Sequence, residues 1–184
     1  MRLMAARRIL QLGDPVLREK SQPVGWPADA APVLVDLRDT LHEFRSAHGF
    51  GRGISAIQIG QPWRIVYLEF EGRSYSLLNP VCERLSEERM RLWDDCFSFP
   101  GLLVQVERAR ETFIRYLDGN GEARTLPASG ALSELLQHEM DHLDGVLAID
   151  RAIDRNSFRT REEHERQIKL PRSVLPWPAA APSR

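Results

Sequence analysis

The chain has 184 residues, 42% of them hydrophobic, with 25 basic and 26 acidic side chains and a formal net charge of -1. That length accommodates one domain with a real core and is short for two. The charges are interleaved, so no basic patch argues for nucleic acid or an anionic membrane surface, and no apolar run reaches the length of a membrane span.

In chain order, RRILQLGDPVLREKSQPV is broken by Asp14-Pro15 and Pro23 and is expected to be an extended, wrapping arm. No apolar stretch of signal-peptide length precedes Gly13 and Asp14, so the protein is expected to be cytoplasmic, with Cys82 and Cys96 reduced. Between Pro32 and His48, the residues Val33, Leu34, Leu37, Leu41 and Phe44 recur at three and four and predict an amphipathic helix stopped by Gly49. Small, Gly-rich FGRGISAIQIGQP follows. RIVYLEF and EGRSYSLLNP then read as strands joined at Glu71-Gly72. ERLSEERMRLWDDCFSFPG reads as a strand entering a turn at Pro100-Gly101, and LLVQVERARETFIRYLDGNGEARTLP as further strands with a hairpin at Asp118-Gly119. Ser129 to Leu143 predicts a second helix, REEHERQIK a last one, and residues 173–184 a disordered Pro/Ala tail, leaving 1–172 as one catalytic domain.

The second helix carries the chemistry. In QHEMDHLDG, His138 and His142 are four apart and share a helix face, so both imidazoles can reach one metal ion. Glu139 sits where it can handle the proton of a water held by that ion. The bland reading is a solvated face with weak i,i+4 support. A hydrolytic metal wants a third protein ligand and an open position. The zinc-protease pattern that continues to a third His is followed as far as Gly145 but carries Ala148 at that place. Glu162, Glu163 and Glu165 offer a downstream carboxylate, as in a zinc endopeptidase, and Cys96 in WDDCFSFPG offers a thiolate.

Taken together, GRGISAIQ at 51–58, DDCFS at 94–98 and QHEMDHLDG at 137–145 resemble the peptide deformylase motifs GxGLAAxQ, EGCLS and QHExDHLxG, in the same order. The N-terminal arm, LLNPV and IRYLDGNG are also similar to that family. The resemblance implies an α+β fold: small antiparallel or mixed sheets wrapped around a central metal-binding helix, with an N-terminal and a C-terminal helix. It implies Cys96, His138 and His142 as ligands of ferrous iron, with zinc or another divalent ion able to replace it. Glu139 is implied as general base and then acid, and Gln58 with the backbone N–H of Phe97 as oxyanion donors. Gly53 is implied to let the substrate backbone approach, and Leu135, with Phe97, to line a methionine pocket. The implied activity is removal of the formyl group from formylmethionine of new polypeptides, with the ribosome as a further partner; a monomer is expected, and the interleaved charges and short apolar runs lead to the expectation of no nucleic-acid specificity and no membrane.

Three departures from that pattern stand out. Asp94 replaces Glu, and Arg108 is the expected ion-pair partner. Asp95 replaces Gly, adding bulk and charge at the cleft rim, and motivates an alternative in which another N-formyl or amide compound is the substrate. Ser55 replaces Ala and brings a hydroxyl that needs a partner. A non-catalytic binding module is disfavoured, since the full set of ligands, base and donor is present. Cys82 is expected to be a buried strand residue, Trp26, Trp63 and Trp93 core, and His42, His48 and His164 ordinary surface or capping residues.

Overall fold

The computed structural model describes residues 6–169; the expected tail at 173–184 lies outside them. The N-terminal arm is extended except for one 3-10 turn, Pro15–Arg18, started by Asp14 accepting from Val16 N–H at 3.0 Å. It acts as a clip. Leu10 N–H donates to the Gln58 carbonyl and Leu12 N–H to the Ser98 carbonyl, both at 2.8 Å, tying two distant segments together.

Helix α1 spans Pro27–His48, five residues longer at its start than the sequence suggested. Pro27 occupies the first turn, where a missing N–H costs nothing. Pro32 removes one later bond, to the Ala28 carbonyl, but both residues are exposed, so water can replace the lost donor. The apolar face of α1, Ala30, Val33, Leu37, Leu41 and Phe44, packs into a first core cluster with Ile54, Ile65, Leu78 and Phe97.

Two antiparallel sheets follow. The larger has the order β1-β2-β3-β6-β7, with β1 Gly53–Ser55, β2 Ile65–Phe70, β3 Arg73–Leu85, β6 Glu111–Leu117 and β7 Ala123–Ser129. The smaller has the order β4-β5-β8, with β4 Arg89–Asp95, β5 Leu102–Ala109 and β8 Phe158–Thr160. The β2–β3 turn is Glu71-Gly72, with both residues at positive φ, 49° and 76°, as a tight hairpin requires. Helix α2, Gly130–Leu143, lies between the sheets: Leu135, Leu136 and Leu143 pack on Val66, Leu68, Leu77 and Ile114. A third cluster joins Cys96, Val104 and Val106 to Leu17 of the arm and Leu147. Helix α3 is Arg161–Lys169, where REEHERQIK placed it, and it has no buried residue. The α+β architecture is thus as the sequence implied. Among the described residues, no helix is long and apolar enough to cross a membrane.

Two packing expectations are corrected. Cys82 is exposed, because β3 is bulged between Cys82 and Arg84 and its far half runs past the end of β2. Trp26 is 75% exposed at the N-cap of α1; Trp63 and Trp93 are half-buried.

Candidate metal centre and active site

The i,i+4 spacing puts Glu134, His138 and His142 on one face of α2, all buried. The helix is pinned from its other side. Ser133 Oγ and Gln137 Nε2 donate to the Ala109 carbonyl at 3.0 and 2.9 Å, while Ala109 N–H donates to Gln137 Oε1 at 2.9 Å. Ala109 ends β5, whose antiparallel partner β4 delivers Cys96 just past Asp95. The sequence reading gave Gln137 no role; it holds the ligand-bearing helix to the strand pair that carries the thiol, and only its place in the motif hinted at it.

Three donor atoms converge. Cys96 Sγ and His138 Nε2 each lie 3.2 Å from His142 Nε2, and all three donors fall within 4.8 Å of one another. Around a tetrahedral cation with N at 2.0–2.1 Å and S at 2.3 Å, such atoms stand about 3.3 to 3.6 Å apart. The donor set therefore fits a divalent metal ion. A third ligand from α3 is not needed: none of Glu162, Glu163 and Glu165 joins the group, and Glu163 instead accepts from Arg166 and Gln167.

Behind the ligands runs a buried ion chain. Asp94 Oδ1 sits 2.8 Å from His138 Nδ1, off the ring N–H direction, and Asp94 Oδ2 accepts from Arg108 at 2.8 Å, the partner expected from the sequence. Arg108 also pairs with Asp141, which accepts from Arg151 at 2.7 Å. Burial raises Asp94, but His138 and Arg108 outweigh it and hold its carboxyl at about 2. Burial likewise lowers His138, yet Asp94 and Cys96 keep it well above the usual range, while burial and His138 push His142 well below. A cation requires both bound nitrogens free of protons.

Glu139 is 2% exposed, and its Oε2 has no partner among the described residues. Burial, opposed by His138 and reinforced by Asp94 and Glu134, pushes its carboxyl up to about 7, the range a proton carrier needs at neutral pH. Gly53 makes room for it, since a Cβ there would stand 2.8 Å from Glu139 Oε1 and 3.1 Å from Leu135 Cδ1. The glycine thus serves the acid itself, a point the sequence reading missed by assigning it to the substrate alone.

Gln58 lies in the 3-10 turn Ala56–Ile59 after β1 and is 2% exposed. Its Oε1 accepts from Ser55 N–H at 3.0 Å and Ser55 Oγ at 3.1 Å, so its Nε2 faces Cys96 Sγ at 3.7 Å and Ser98 Oγ at 3.4 Å. The Ser55 hydroxyl has found its partner there. Phe97 N–H, next to the thiol, makes no hydrogen bond among the described residues, while the Phe97 ring stacks on Phe44 at 3.8 Å. Asp95 has no positive φ, and Arg161 Nη2 donates to its carboxylate at 2.8 Å. His42 binds Glu69 at 2.7 Å, His48 stacks on Phe44 and His164 lies beside Trp93, and none of them joins the metal-ligand group.

Comparison with known proteins agrees with this geometry. The polypeptide deformylase family model matches residues 6–158. A peptide deformylase of Parafrankia sp. is 35% identical over 181 residues, covering 97% of this chain and 96% of its own. One of Dictyoglomus thermophilum is 32% identical over 157 residues, covering 85% and 99%. The crystal structure of a peptide deformylase from Synechococcus elongatus superposes with a TM-score of 0.77 at 31% identity, covering 82% of this chain and 81% of that one. That of Thermotoga maritima gives 0.75 at 29%, covering 82% and 99%. With three motifs meeting at one centre, a match over most of the chain and the same fold in solved relatives, the chain belongs to the polypeptide deformylase family.

Proposed function

We propose that the protein hydrolyses the formyl amide of N-formylmethionyl polypeptides, releasing formate and a free amino terminus. The observation that carries this reading is the convergence of Cys96, His138 and His142 donor atoms beside a buried Glu139 with an unpartnered carboxylate oxygen. When bound, a divalent cation, proposed here to be ferrous iron with zinc or another ion able to replace it, acidifies water and polarises the formyl carbonyl. Cys96, His138 and His142 hold it, and Asp94 orients the His138 ring from behind.

Glu139 takes a proton from the attacking water and returns it to the departing amine. Gln58 Nε2 and Phe97 N–H are assigned to the oxygen that gains negative charge, with the amide direction set by Ser55. Gly53 and Leu135 border the bound methionine. Another amide substrate, suggested by Asp95, is not favoured, because that carboxylate is paired with Arg161 and not presented bare to the cleft. Residues 1–172 are read as one catalytic domain of a cytoplasmic monomer meeting its substrates as they leave the ribosome.

The test is formate release from formyl-Met-Ala-Ser by anaerobically purified, metal-loaded protein. Glu139→Ala is expected to lower kcat by about 10²- to 10⁴-fold with metal retained. No release by the wild type, with iron in place, refutes the reading.

A further inference from the structure

Next to the metal centre is a cavity of 530 Å³ whose lining includes Gly51 and Arg52, just before Gly53, and Asp95 and Phe97, on either side of Cys96. Its lining draws on two of the three motifs, GRGISAIQ and DDCFS. Cys96, His138, Glu139 and His142 are each at most 6% exposed, and the cavity borders the chain on either side of Cys96. The charged residues of its lining are Arg45, Arg52, Arg161 and Asp95, with His164 beside them.

Each guanidinium is anchored from behind. Arg45 donates to Glu69 at 2.8 Å and to the Gly51 carbonyl at 3.0 Å, and Arg52 to Glu134 at 2.7 Å. Neither Glu69 nor Glu134 lines the cavity. Arg161 donates to Asp95 and to the Pro100 carbonyl, both at 2.8 Å, and lies over the Phe50 ring at 3.7 Å. Its backbone is fixed by β8 pairing on β5 and by Arg161 N–H donating to the Gly101 carbonyl at 2.9 Å. A guanidinium has five donors in a rigid plane, and these anchors use only part of them. Asp95, the residue that departs from the family pattern, thus serves to hold a cation in place at the entrance.

We infer that Arg161, held by Asp95 and Phe50, acts with Arg52 as a specificity-determining rim that selects formyl-methionyl peptides with an acidic side chain close behind the methionine. The inference rests on the deformylase reading and adds the class of peptide preferred. A carboxylate entering the cavity gains two preorganised cations, while a Lys side chain meets like charge.

The experiment compares formyl-Met-Glu-Ser with formyl-Met-Lys-Ser on metal-loaded protein at low salt, and measures by calorimetry the binding of the product peptides Met-Glu-Ser and Met-Lys-Ser. Glu is expected to exceed Lys by about tenfold in kcat/KM and in product affinity, shrinking in high salt. Arg161→Gln brings both ratios near one, and Arg161→Lys restores part of the preference. Equal values for the two peptides in the wild type, a preference that survives Arg161→Gln, or product peptides that do not bind overturn the inference. Absence of turnover on any formyl peptide sinks the deformylase reading, and product binding still decides this one.

Discussion

Arg108 is 3% exposed and stands between Asp94 and Asp141, so Arg108→Met tests the buried ion chain behind the metal centre. Removing the cation leaves Asp94 buried with only His138 near it, whereas Asp141 keeps Arg151. Breaking a buried pair by deleting one partner costs about 3–5 kcal/mol, because the remaining charge stays desolvated. For a domain of this size each kcal/mol moves Tm by roughly 2–4 °C, which gives a fall of about 6–20 °C. Since Asp94 orients a ligand, metal affinity is expected to weaken by about 10- to 100-fold as well. Urea unfolding followed by circular dichroism gives the stability change, and competition with a chelator gives the affinity. Asp94→Asn combined with Arg108→Met removes the stranded charge and is expected to recover more than half of the stability lost. A loss below about 1 kcal/mol for Arg108→Met, or no recovery in the pair, refutes the reasoning.

Gln58→Leu is expected to lower kcat by about 10²- to 10³-fold with little change in Tm, and Ser55→Ala, which removes one of the two donors to Gln58 Oε1 and leaves the backbone N–H, by a few-fold with KM unchanged; steady-state kinetics on formyl-Met-Ala-Ser reads both. Gly53→Ala forces its Cβ against Glu139 Oε1, 2.8 Å away, and displacing the acid by a fraction of an ångström is expected to reduce kcat by roughly 10- to 100-fold while metal content holds. Burial raises Glu69, but His42, Arg45 and Tyr67 overcome it and bring its carboxyl from 4.5 to about 2. A carboxyl lowered on folding stabilises above its unfolded value and loses that contribution as pH falls, so Glu69→Gln should cost at most roughly 3 kcal/mol near pH 7, less below about pH 4.5, and almost nothing near pH 2 in thermal unfolding.

What could be read without coordinates followed from short-range rules. The i,i+4 histidines, the tight turn at Glu71-Gly72 and the alternating strands each express local geometry, and the structure has them where periodicity put them. The pairing of Asp94 with Arg108 was expected from the family motif, in which a carboxylate at that place holds the loop by pairing with a basic residue; that both are buried and lie on paired strands came from the structure. The start of α1 was misplaced because a proline inside a helix reads as a boundary, and only the exposure of Ala28 and Pro32 shows why it is tolerated. Cys82 was misjudged because a strand's pattern does not say where its neighbours end. The links from Ser55 to Gln58, Gln137 to Ala109 and Asp95 to Arg161 were not legible as contacts: each depends on how separate segments fold against one another, which spacing alone does not encode.

The central claim is that one thiolate and two imidazoles share a single cation. X-ray absorption at the metal edge of anaerobically loaded protein measures that directly. The account predicts one sulfur scatterer at about 2.3 Å with two imidazole nitrogens at about 2.0–2.1 Å, the sulfur disappearing in Cys96→Ser. A coordination shell without sulfur in the wild type contradicts it.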